Sequence, residues 1–574
     1  MLKAHGVEHI FTLSGGHISP ILTGSEKLGI KIIDTRHEAN AVFAADAQAR
    51  LKGIPGVAVV TAGPGVTNTI TALKNAQMAE SPVVVFGGAP ATLLKGKGAL
   101  QDIDQMSLMK SLTKWHTTIN KVRDIIPSVR EAFRQAQAGT PGPVFIECPL
   151  DILYPYSLIR KEAMAVNTKT LKGKAIHWYL DHYTRNLFAG AFDVNQEVNS
   201  WPVEIPFAKF SQILKAIEII SKAKKPLILL GSQAILPPVG AERLRECVES
   251  LGIPCYLGGM SRGLLGKTSS IQMRQARRDA LKEADVVILG GIVCDFRLNY
   301  GKALSPKSKI IAVNRNKSQL TKNEGVFWKS TLSLRTDVGN FFMDLKEHLG
   351  NGQYKVDSDW IASLRAREEA KEKSITEMAK EPATQHLNPI KILCELESIL
   401  PKQTILVADG GDFVASAAYI LKPPGPLTWL DPGAFGTLGC GGGFAMGAKL
   451  TYPNSDVVII YGDGSLGYTL MEFDSFVRHK IPVLAIVGND ACWTQIAREQ
   501  VPMLGSSVSC DLAYTNYEKA VEALGGKGFL VDRENESQFK EIVLKGLELT
   551  RNGTPVLINV LLGKTNFRKG SISV

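Results

Sequence analysis

A chain of 574 residues is too long for one hydrophobic core, and about three domains is the natural expectation. With 45% hydrophobic and 21% charged residues its composition is that of an ordinary globular protein, and its net charge of +11 is spread along the chain without basic blocks interleaved with aromatics, which argues against nucleic acid as a partner. No run reaches eighteen apolar residues, and the eight cysteines form neither a Cys-x-x-Cys pair nor a zinc spacing, so buried thiols are expected in place of a membrane-spanning helix, a disulfide framework or a thiolate cluster.

The chain opens as the end of a helix entering a strand at His9-Ile10-Phe11, so a preceding segment is expected, although no secretory signal is apparent. From 1 to 155, strands and helices alternate. A strand at 30–34 leads into Arg36-His37-Glu38, and Val57-Ala58-Val59-Val60-Thr61 into the turn Thr61-Ala62-Gly63-Pro64-Gly65-Val66-Thr67-Asn68. Val83-Val84-Val85-Phe86 is a further strand, and Gly139-Thr140-Pro141-Gly142-Pro143 introduces the closing strand Val144-Phe145-Ile146. The stretch 156–204 is irregular; its 176–180 and 187–192 segments read as a packed connecting helix, with a lid or membrane-surface helix as alternatives. Residues 205–350 form a central domain with strands at 226–230, 286–289 and 310–313, followed by a charged helical linker over 351–385.

The last domain, 386–574, closes as the first does, at Gly553-Thr554-Pro555-Val556-Leu557-Ile558, which predicts two similarly wound domains at the two ends of the chain. Within it, Val457-Val458-Ile459-Ile460-Tyr461 runs into Gly462-Asp463-Gly464-Ser465, and 482–487 runs into Gly488-Asn489-Asp490. Leu470, Phe473, Phe476 and Val477 lie between at helical spacing. A right-handed crossover of this length makes the two strands parallel and adjacent, with two acidic loops on the edge where open α/β sheets bind ligands. Hard oxygen ligands beside a Gly-rich turn suit Mg²⁺ bridging to a diphosphate.

The spaced pair resembles the motif of the thiamine-diphosphate-dependent enzymes, Gly-Asp-Gly followed after twenty-odd residues by Asn-Asn. That family implies three doubly wound α/β domains with parallel sheets, binding in turn the aminopyrimidine, nothing obligatory, and the diphosphate. Its metal ligands fall on Asp463, Asp490 and the backbone oxygen of Cys492, with Asp490 standing where the family has Asn and Asn489 as the fallback ligand. Glu38 matches the glutamate that hydrogen-bonds the aminopyrimidine ring nitrogen and so helps the cofactor take the thiazolium C2 proton. Gly63, Pro64, Gly65 and Asn68 match the wall beside the ring, and Gly410-Gly411-Asp412 the first diphosphate loop. Gly436-Thr437-Leu438 matches the element that wedges the cofactor into its bent shape. Gln101 matches a substrate-facing glutamine, and His17 is a candidate acid/base. Trp493, Gln495 and Arg498 follow the metal loop and are candidates for substrate contact, with core packing the alternative for Trp493.

Leu257-Gly258-Gly259-Met260, Cys294-Asp295-Phe296-Arg297 and the stretch Phe473-Asp474-Ser475-Phe476 resemble the acetolactate-synthase-like acyl-CoA lyase branch of the family. This resemblance implies cleavage of 2-hydroxy fatty acyl-CoA to formyl-CoA and a shortened aldehyde, a homodimer or homotetramer in which Glu38 serves a neighbour's diphosphate site, and anchorage at the endoplasmic reticulum membrane. Acetolactate synthase is the second reading, weakened because 263–285 lacks that enzyme's Gly-Met-His-Gly element. Asn314 stands where an acidic residue would support FAD or ADP. A cofactor-binding scaffold without activity is the third reading, and intact Glu38 and Asp463 argue against it.

Overall fold

A computed structural model describes residues 1–165, 167–191, 197–349, 354–382, 385–565 and 567–568. Its contacts divide it into two units, Met1–Glu204 and Ile205–Val574. The first unit holds a six-stranded parallel sheet of β1 (His9–Leu13), β2 (Lys31–Asp34), β3 (Gly56–Val60), β4 (Val83–Ala89), β5 (Trp115–Thr118) and β6 (Val144–Pro149), in the order β2-β1-β3-β4-β6-β5. The second unit holds two more. The central sheet comprises β7 (Pro226–Leu230), β8 (Cys255–Leu257), β9 (Gln272–Met273), β10 (Val286–Gly290), β11 (Lys309–Asn314) and β12 (Leu332–Arg335), ordered β12-β11-β10-β7-β8-β9. The C-terminal sheet comprises β13 (Thr404–Asp409), β14 (Trp429–Leu430), β15 (Asp456–Gly462), β16 (Leu484–Asn489), β17 (Lys527–Val531) and β18 (Val556–Leu561), ordered β14-β13-β15-β16-β18-β17.

The first and third sheets share one winding order, as the matching Gly/Pro-bounded closing strands led one to expect. Their inner strands are continuous apolar runs because helices cover both faces: Val57, Val59, Val84, Val458, Ile460, Leu484 and Ile486 are all fully buried. Burying each such side chain is worth roughly 1.5–3 kcal/mol. The strands that sequence patterning passes over are short or half-exposed, chiefly at sheet edges: β5 is partly exposed throughout, and β9 and β14 are two residues each. β9 and β14 are too short, and β5 too exposed, to develop the unbroken apolar run that marks their neighbours.

In both end domains the order reverses beside the first strand, between β1 and β3 and between β13 and β15. Open parallel sheets bind ligands at such reversals, beyond the carboxyl ends of the strands. β15 and β16 are indeed parallel neighbours, with Gly462 opposite Gly488. The expected single helix between them is two, Asp463–Thr469 and Glu472–Arg478, broken at Leu470-Met471.

In the 156–204 stretch, helix Leu171–Leu187 lays Gly173, Thr184 and Leu187 inward, and Leu187 and Phe188 join the first unit's core. That is the packed connecting helix; its other face leaves Trp178 and Tyr179 exposed. Phe192 and linker residues 351–353 and 383–384 lie outside the described residues. Helix Ser358–Lys380 carries most of the charged linker. Seven of the eight cysteines are buried and all are free thiols. No helix among the described residues is long and apolar enough to cross a membrane.

In the central sheet, β11 ends at Asn314, whose Oδ1 accepts from Gln233 Nε2 at 2.8 Å. The next residue, Arg315, is 1% exposed and pairs with fully buried Asp337 at 2.5 Å. Removing one partner of such a pair strands the other charge. Asp337→Ala is therefore expected to destabilise the fold by roughly 3–5 kcal/mol, read as the shift in urea midpoint, whereas replacing both residues by apolar ones should cost far less.

Candidate active site

The first unit assembles its candidate residues at the β1/β3 reversal. Glu38 is the first residue of helix Glu38–Lys52, where the backbone dipole favours a carboxylate, and it is 6% exposed. Asn68 Nδ2–H donates to Glu38 Oε2 at 2.9 Å. Asn68 ends the short helix that Gly63 and Pro64 open, so the turn's geometry sets the carboxyl's partner. Glycine is required at two points of it. Gly63 has φ +61°, and a Cβ there would lie 2.8 Å from the carbonyl oxygen of Gln101. A Cβ on Gly65 would meet Thr61 at 2.8 Å and Glu38 Oε1 at 3.6 Å. The loop after β1 arrives alongside: His17 Nδ1 is 3.4 Å from Thr61 Oγ1, and burial lowers the His17 pKa below the usual imidazole value. Tyr154 O–H ties this loop down by donating to the Gly16 carbonyl at 2.8 Å. Glu38, Gly63, Gly65, Asn68, His17 and the Gln101 backbone thus converge, as the sequence motifs imply.

Three residues of this neighbourhood carry no motif. Gln105, 1% exposed, accepts the Gly63 N–H at 2.8 Å and donates to Glu147, which is fully buried within β6, and Lys95 pairs with the same carboxylate. The signal was a lone Glu inside an apolar strand, since charges are almost never fully buried unpaired.

The second unit builds its site at the β13/β15 reversal. Gly410 follows β13, and a Cβ on it would lie 2.7 Å from the Gly462 nitrogen, so the first and second Gly-rich loops touch. Ser465 Oγ–H donates to the carbonyls of Asp409 and Gly462 at 2.5 and 2.9 Å, pinning the second loop to the end of β13. Asp463 is 3% exposed; Oδ1 accepts from the Gly464 N–H at 2.8 Å, while the buried Oδ2 has no hydrogen-bond partner. The amides of Ala491 and Cys492 also face this carboxylate. Asp490 lies in the same small cavity of about 40 Å³ as Asp463, Gly464 and Cys492. Burial lifts Asp463 to about 6 and Asp490 to about 7, the latter raised further by the charges of Asp463 and Asp412. Ala491, at φ +51°, turns the chain after Asp490.

The fallback ligand is corrected by this geometry. Asn489, the last residue of β16, is fully buried and donates from Nδ2 to Thr515 O and Asn559 Oδ1, both at 3.2 Å. Strand alternation turns it into the domain and leaves Asp490 facing the loops. The proposed substrate contacts are also partly reassigned. The half-buried Trp493 indole packs on Gly464, where a Cβ would come within 2.4 Å of the ring, so it walls the cavity of the acid pair and is not part of the hydrophobic core. Arg498 Nη2 pairs with Asp412 Oδ2 at 2.5 Å, and Gln495 borders Gly411. These two therefore brace the first diphosphate loop.

Gly436 adopts φ +64° with open space beside it, and Thr437 and Leu438 follow, both half-buried. What holds this element went unread in the sequence: Asp409, fully buried at the end of β13, accepts from the Gly439 and Gly441 amides at 3.1 and 2.7 Å, and burial lifts its carboxyl to about 7. A carboxylate closing an otherwise apolar strand was the available signal.

The acid pair, the orphaned Asp463 oxygen and the glycine contacts suit a hard divalent ion bridging to a diphosphate. Among the described residues no group of three or more His, Cys, Asp or Glu could hold a metal by itself. Backbone oxygen, phosphate and water would have to complete the coordination, as Mg²⁺ prefers.

A larger cavity, about 530 Å³, opens between the central domain and the C-terminal end of helix Asp412–Ile420. Arg262, Arg274, Arg277, Arg278, Arg297 and Lys302 line it, and none of its lining residues is acidic. Arg274 donates to the carbonyls of Tyr419 and Leu421 at 3.3 and 2.6 Å and leaves Nη1 buried without a partner. Burial, with Arg262 close by, lowers its pKa below the usual guanidinium value. Arg297 pairs with Asp295 at 2.7 Å, outside the lining, but the excess of cations facing the cavity itself favours an anion there.

Comparison with known proteins agrees with this construction. Three family profiles match in order: the thiamine pyrophosphate enzyme N-terminal TPP binding domain over residues 1–108, the central domain over 213–345 and the C-terminal TPP binding domain over 409–560. 2-Hydroxyacyl-CoA lyase 2 of Danio rerio is 59% identical over 100% of this chain and 92% of its own length. The protein of that name from Homo sapiens is 54% identical over 100% and 90%. A probable acetolactate synthase of Mycobacterium bovis is 31% identical over 98% and 94%. The chain belongs to the thiamine pyrophosphate enzyme family, in the group that contains the 2-hydroxyacyl-CoA lyase 2 proteins.

Proposed function

We propose that the protein is a thiamine-diphosphate- and Mg²⁺-dependent lyase that cleaves 2-hydroxy fatty acyl-CoA between C1 and C2, releasing formyl-CoA and an aldehyde one carbon shorter. One observation carries this reading. Helix Asp412–Ile420 has the acid pair's neighbouring loop at its first residue and the arginine-lined cavity at its last turn. At 1.5 Å per residue those ends are roughly 13 Å apart. A coenzyme A thioester needs such a pair of sites, a polyanionic nucleotide held at one end and a reacting carbonyl brought to the cofactor at the other. Pyruvate gives the arginine cavity no role, which disfavours the synthase reading.

Asp463, Asp490 and the Cys492 carbonyl would hold Mg²⁺, with Asp490 supplying a second carboxylate where the family has an amide. Bound there, thiamine diphosphate would supply an acidic thiazolium carbon, nucleophilic once deprotonated, and an electron sink for the pair of the carbon–carbon bond that breaks. Glu38, fixed by Asn68, holds the proton at the aminopyrimidine ring nitrogen. His17, favoured in its neutral form by burial, accepts the proton of the substrate 2-hydroxyl as the aldehyde forms and returns one to the carbon that becomes the formyl group. Gln101 hydrogen-bonds the thioester oxygen. The ring-side residues belong to the first unit and the diphosphate side to the second; in this reading Glu38 serves a neighbouring subunit's metal site in a homodimer or homotetramer. Association with the cytoplasmic side of the endoplasmic reticulum membrane is part of the same reading; exposed Trp178 and Tyr179 beside Lys172 and Lys174 suit a headgroup surface.

The direct test is incubation with thiamine diphosphate, Mg²⁺ and either 2-hydroxyacyl-CoA or pyruvate. Aldehyde with formyl-CoA supports the lyase, acetolactate the synthase, and no product a scaffold. Glu38→Gln should lower kcat by roughly 10²–10⁴, the range for a lost proton-transfer group, with thermal stability retained. Asp463→Ala should abolish Mg²⁺-dependent retention of the cofactor on gel filtration. Asp490→Asn should preserve it, because the amide oxygen still ligates and a buried like charge disappears. Arg277→Met should raise KM for the acyl-CoA roughly 10- to 100-fold, as expected for one charged hydrogen bond of ~1.5–3 kcal/mol, without altering KM for thiamine diphosphate.

A further inference from the structure

Glu147 is buried in the middle of the first unit's apolar core, a costly location for a carboxylate unless every oxygen is engaged. Both are. Oε1 accepts from Gln105 Nε2 at 3.0 Å, and Oε2 accepts from Thr118 Oγ1 at 2.8 Å and from the ammonium of Lys95. Gln105 spends its remaining capacity on two backbone groups: Nε2 donates to the Gly88 carbonyl at 3.0 Å, and Oε1 accepts the Gly63 N–H at 2.8 Å.

These contacts join two segments that sequence motifs treat separately. Lys95 and Gln105 flank the strap that carries Gln101, and Gly63 opens the turn that carries Asn68, the partner of Glu38. Where they meet the fit is close, since a Cβ on Gly63 would lie 2.8 Å from the Gln101 carbonyl oxygen. Just before Lys95 the chain is tied to a second carboxylate, beyond β6: Asp151 accepts from the N–H and the hydroxyl of Thr92, each at 3.1 Å, and from the Tyr183 hydroxyl at 2.9 Å. Lys95 alone among Lys95, Gln105 and Glu147 reaches solvent, with its side chain 34% exposed. It therefore enters from the strap side and closes over the buried pair.

We propose that Lys95, Glu147 and Gln105 are positioning residues for the reaction: they latch the strap bearing Gln101 against the cofactor-facing turn, so that the substrate-side glutamine and the Asn68–Glu38 hydrogen bond are set together. A salt bridge with a structural role alone would change stability when broken and leave kcat of the folded enzyme unmoved. The latch instead predicts an effect on turnover that is separable from folding. The inference rests on the lyase reading for its kinetic arm only.

Lys95→Met and Lys95→Arg test it, with Gln105→Leu as the buried counterpart. At saturating thiamine diphosphate and Mg²⁺, Lys95→Met should lower kcat for 2-hydroxyacyl-CoA at least tenfold. KM for the cofactor should stay within threefold, the melting temperature should fall by no more than a few degrees, since Gln105 and Thr118 still engage the stranded Glu147 carboxylate, and Lys95→Arg should recover at least half of the lost rate. Hydrogen–deuterium exchange should rise in Lys95→Met over residues 92–104 and 63–68 and nowhere else, with Gln105→Leu loosening the 63–68 turn in the same way. Unchanged exchange in the strap, or wild-type kcat in Lys95→Met, overturns the latch. So does a joint fall of kcat, cofactor affinity and melting temperature that arginine fails to rescue. Absence of turnover by the wild-type protein overturns the lyase reading instead, and the exchange measurement still decides the latch.

Discussion

Two carboxylates held close together in a mostly buried pocket are the constraint around which the C-terminal domain is organised. Asp463 and Asp490 end neighbouring parallel strands, so the sheet itself brings them to one edge, and burial pushes both carboxyls toward neutrality. The protein's own groups satisfy them incompletely: Asp463 Oδ2 is buried with no protein hydrogen-bond partner. A divalent cation bridging to a diphosphate would resolve the conflict. The surrounding loops are packed closely, with glycine at 410 and 464 where any side chain would collide with Gly462 or Trp493, and with Asp412, whose charge also raises Asp490, paired to Arg498.

The same logic recurs at the other end of the chain with different chemistry. The first and third sheets share a strand order, and each places its two Gly-rich turns at its own reversal. In the first unit a single buried carboxyl, Glu38, takes the place of the acid pair and is oriented by an amide, Asn68. Behind each site stands a second buried acid that touches backbone: Asp409 fixes the Gly439 and Gly441 amides, and Glu147 fixes Gly63 through Gln105. Backbone held in this way cannot drift, which is what a site needs when the reacting atoms must be aligned closely.

How much of this was legible in the chain depended on whether a residue's role was local. Motif residues that act where they stand, such as Glu38, Gly63, Asp463 and Asp490, were readable because turn chemistry and strand ends are written in adjacent letters. Inner strands were readable for the same reason, as unbroken apolar runs. Asn489 and Asp490 could not be separated until strand alternation assigned one inward and one to the loop. Trp493 and Arg498 looked like substrate contacts because they follow the metal loop, but Gly464 and Asp412, distant in sequence, claim them. Gln105, Glu147, Lys95 and the arginine cavity depend on partners 17 to 156 residues away, and no spacing rule reaches that far.

The central claim is that a divalent cation bridges the side chains at 463 and 490 to the phosphates of thiamine diphosphate. Diffraction from crystals grown with the cofactor and Mn²⁺ substituted for Mg²⁺ tests it most directly, through the metal's anomalous signal. The account predicts one anomalous peak within coordinating distance of Asp463, Asp490 and the Cys492 carbonyl, contiguous with diphosphate density. A cofactor bound with no peak there, or a metal bound away from both carboxylates, would contradict it.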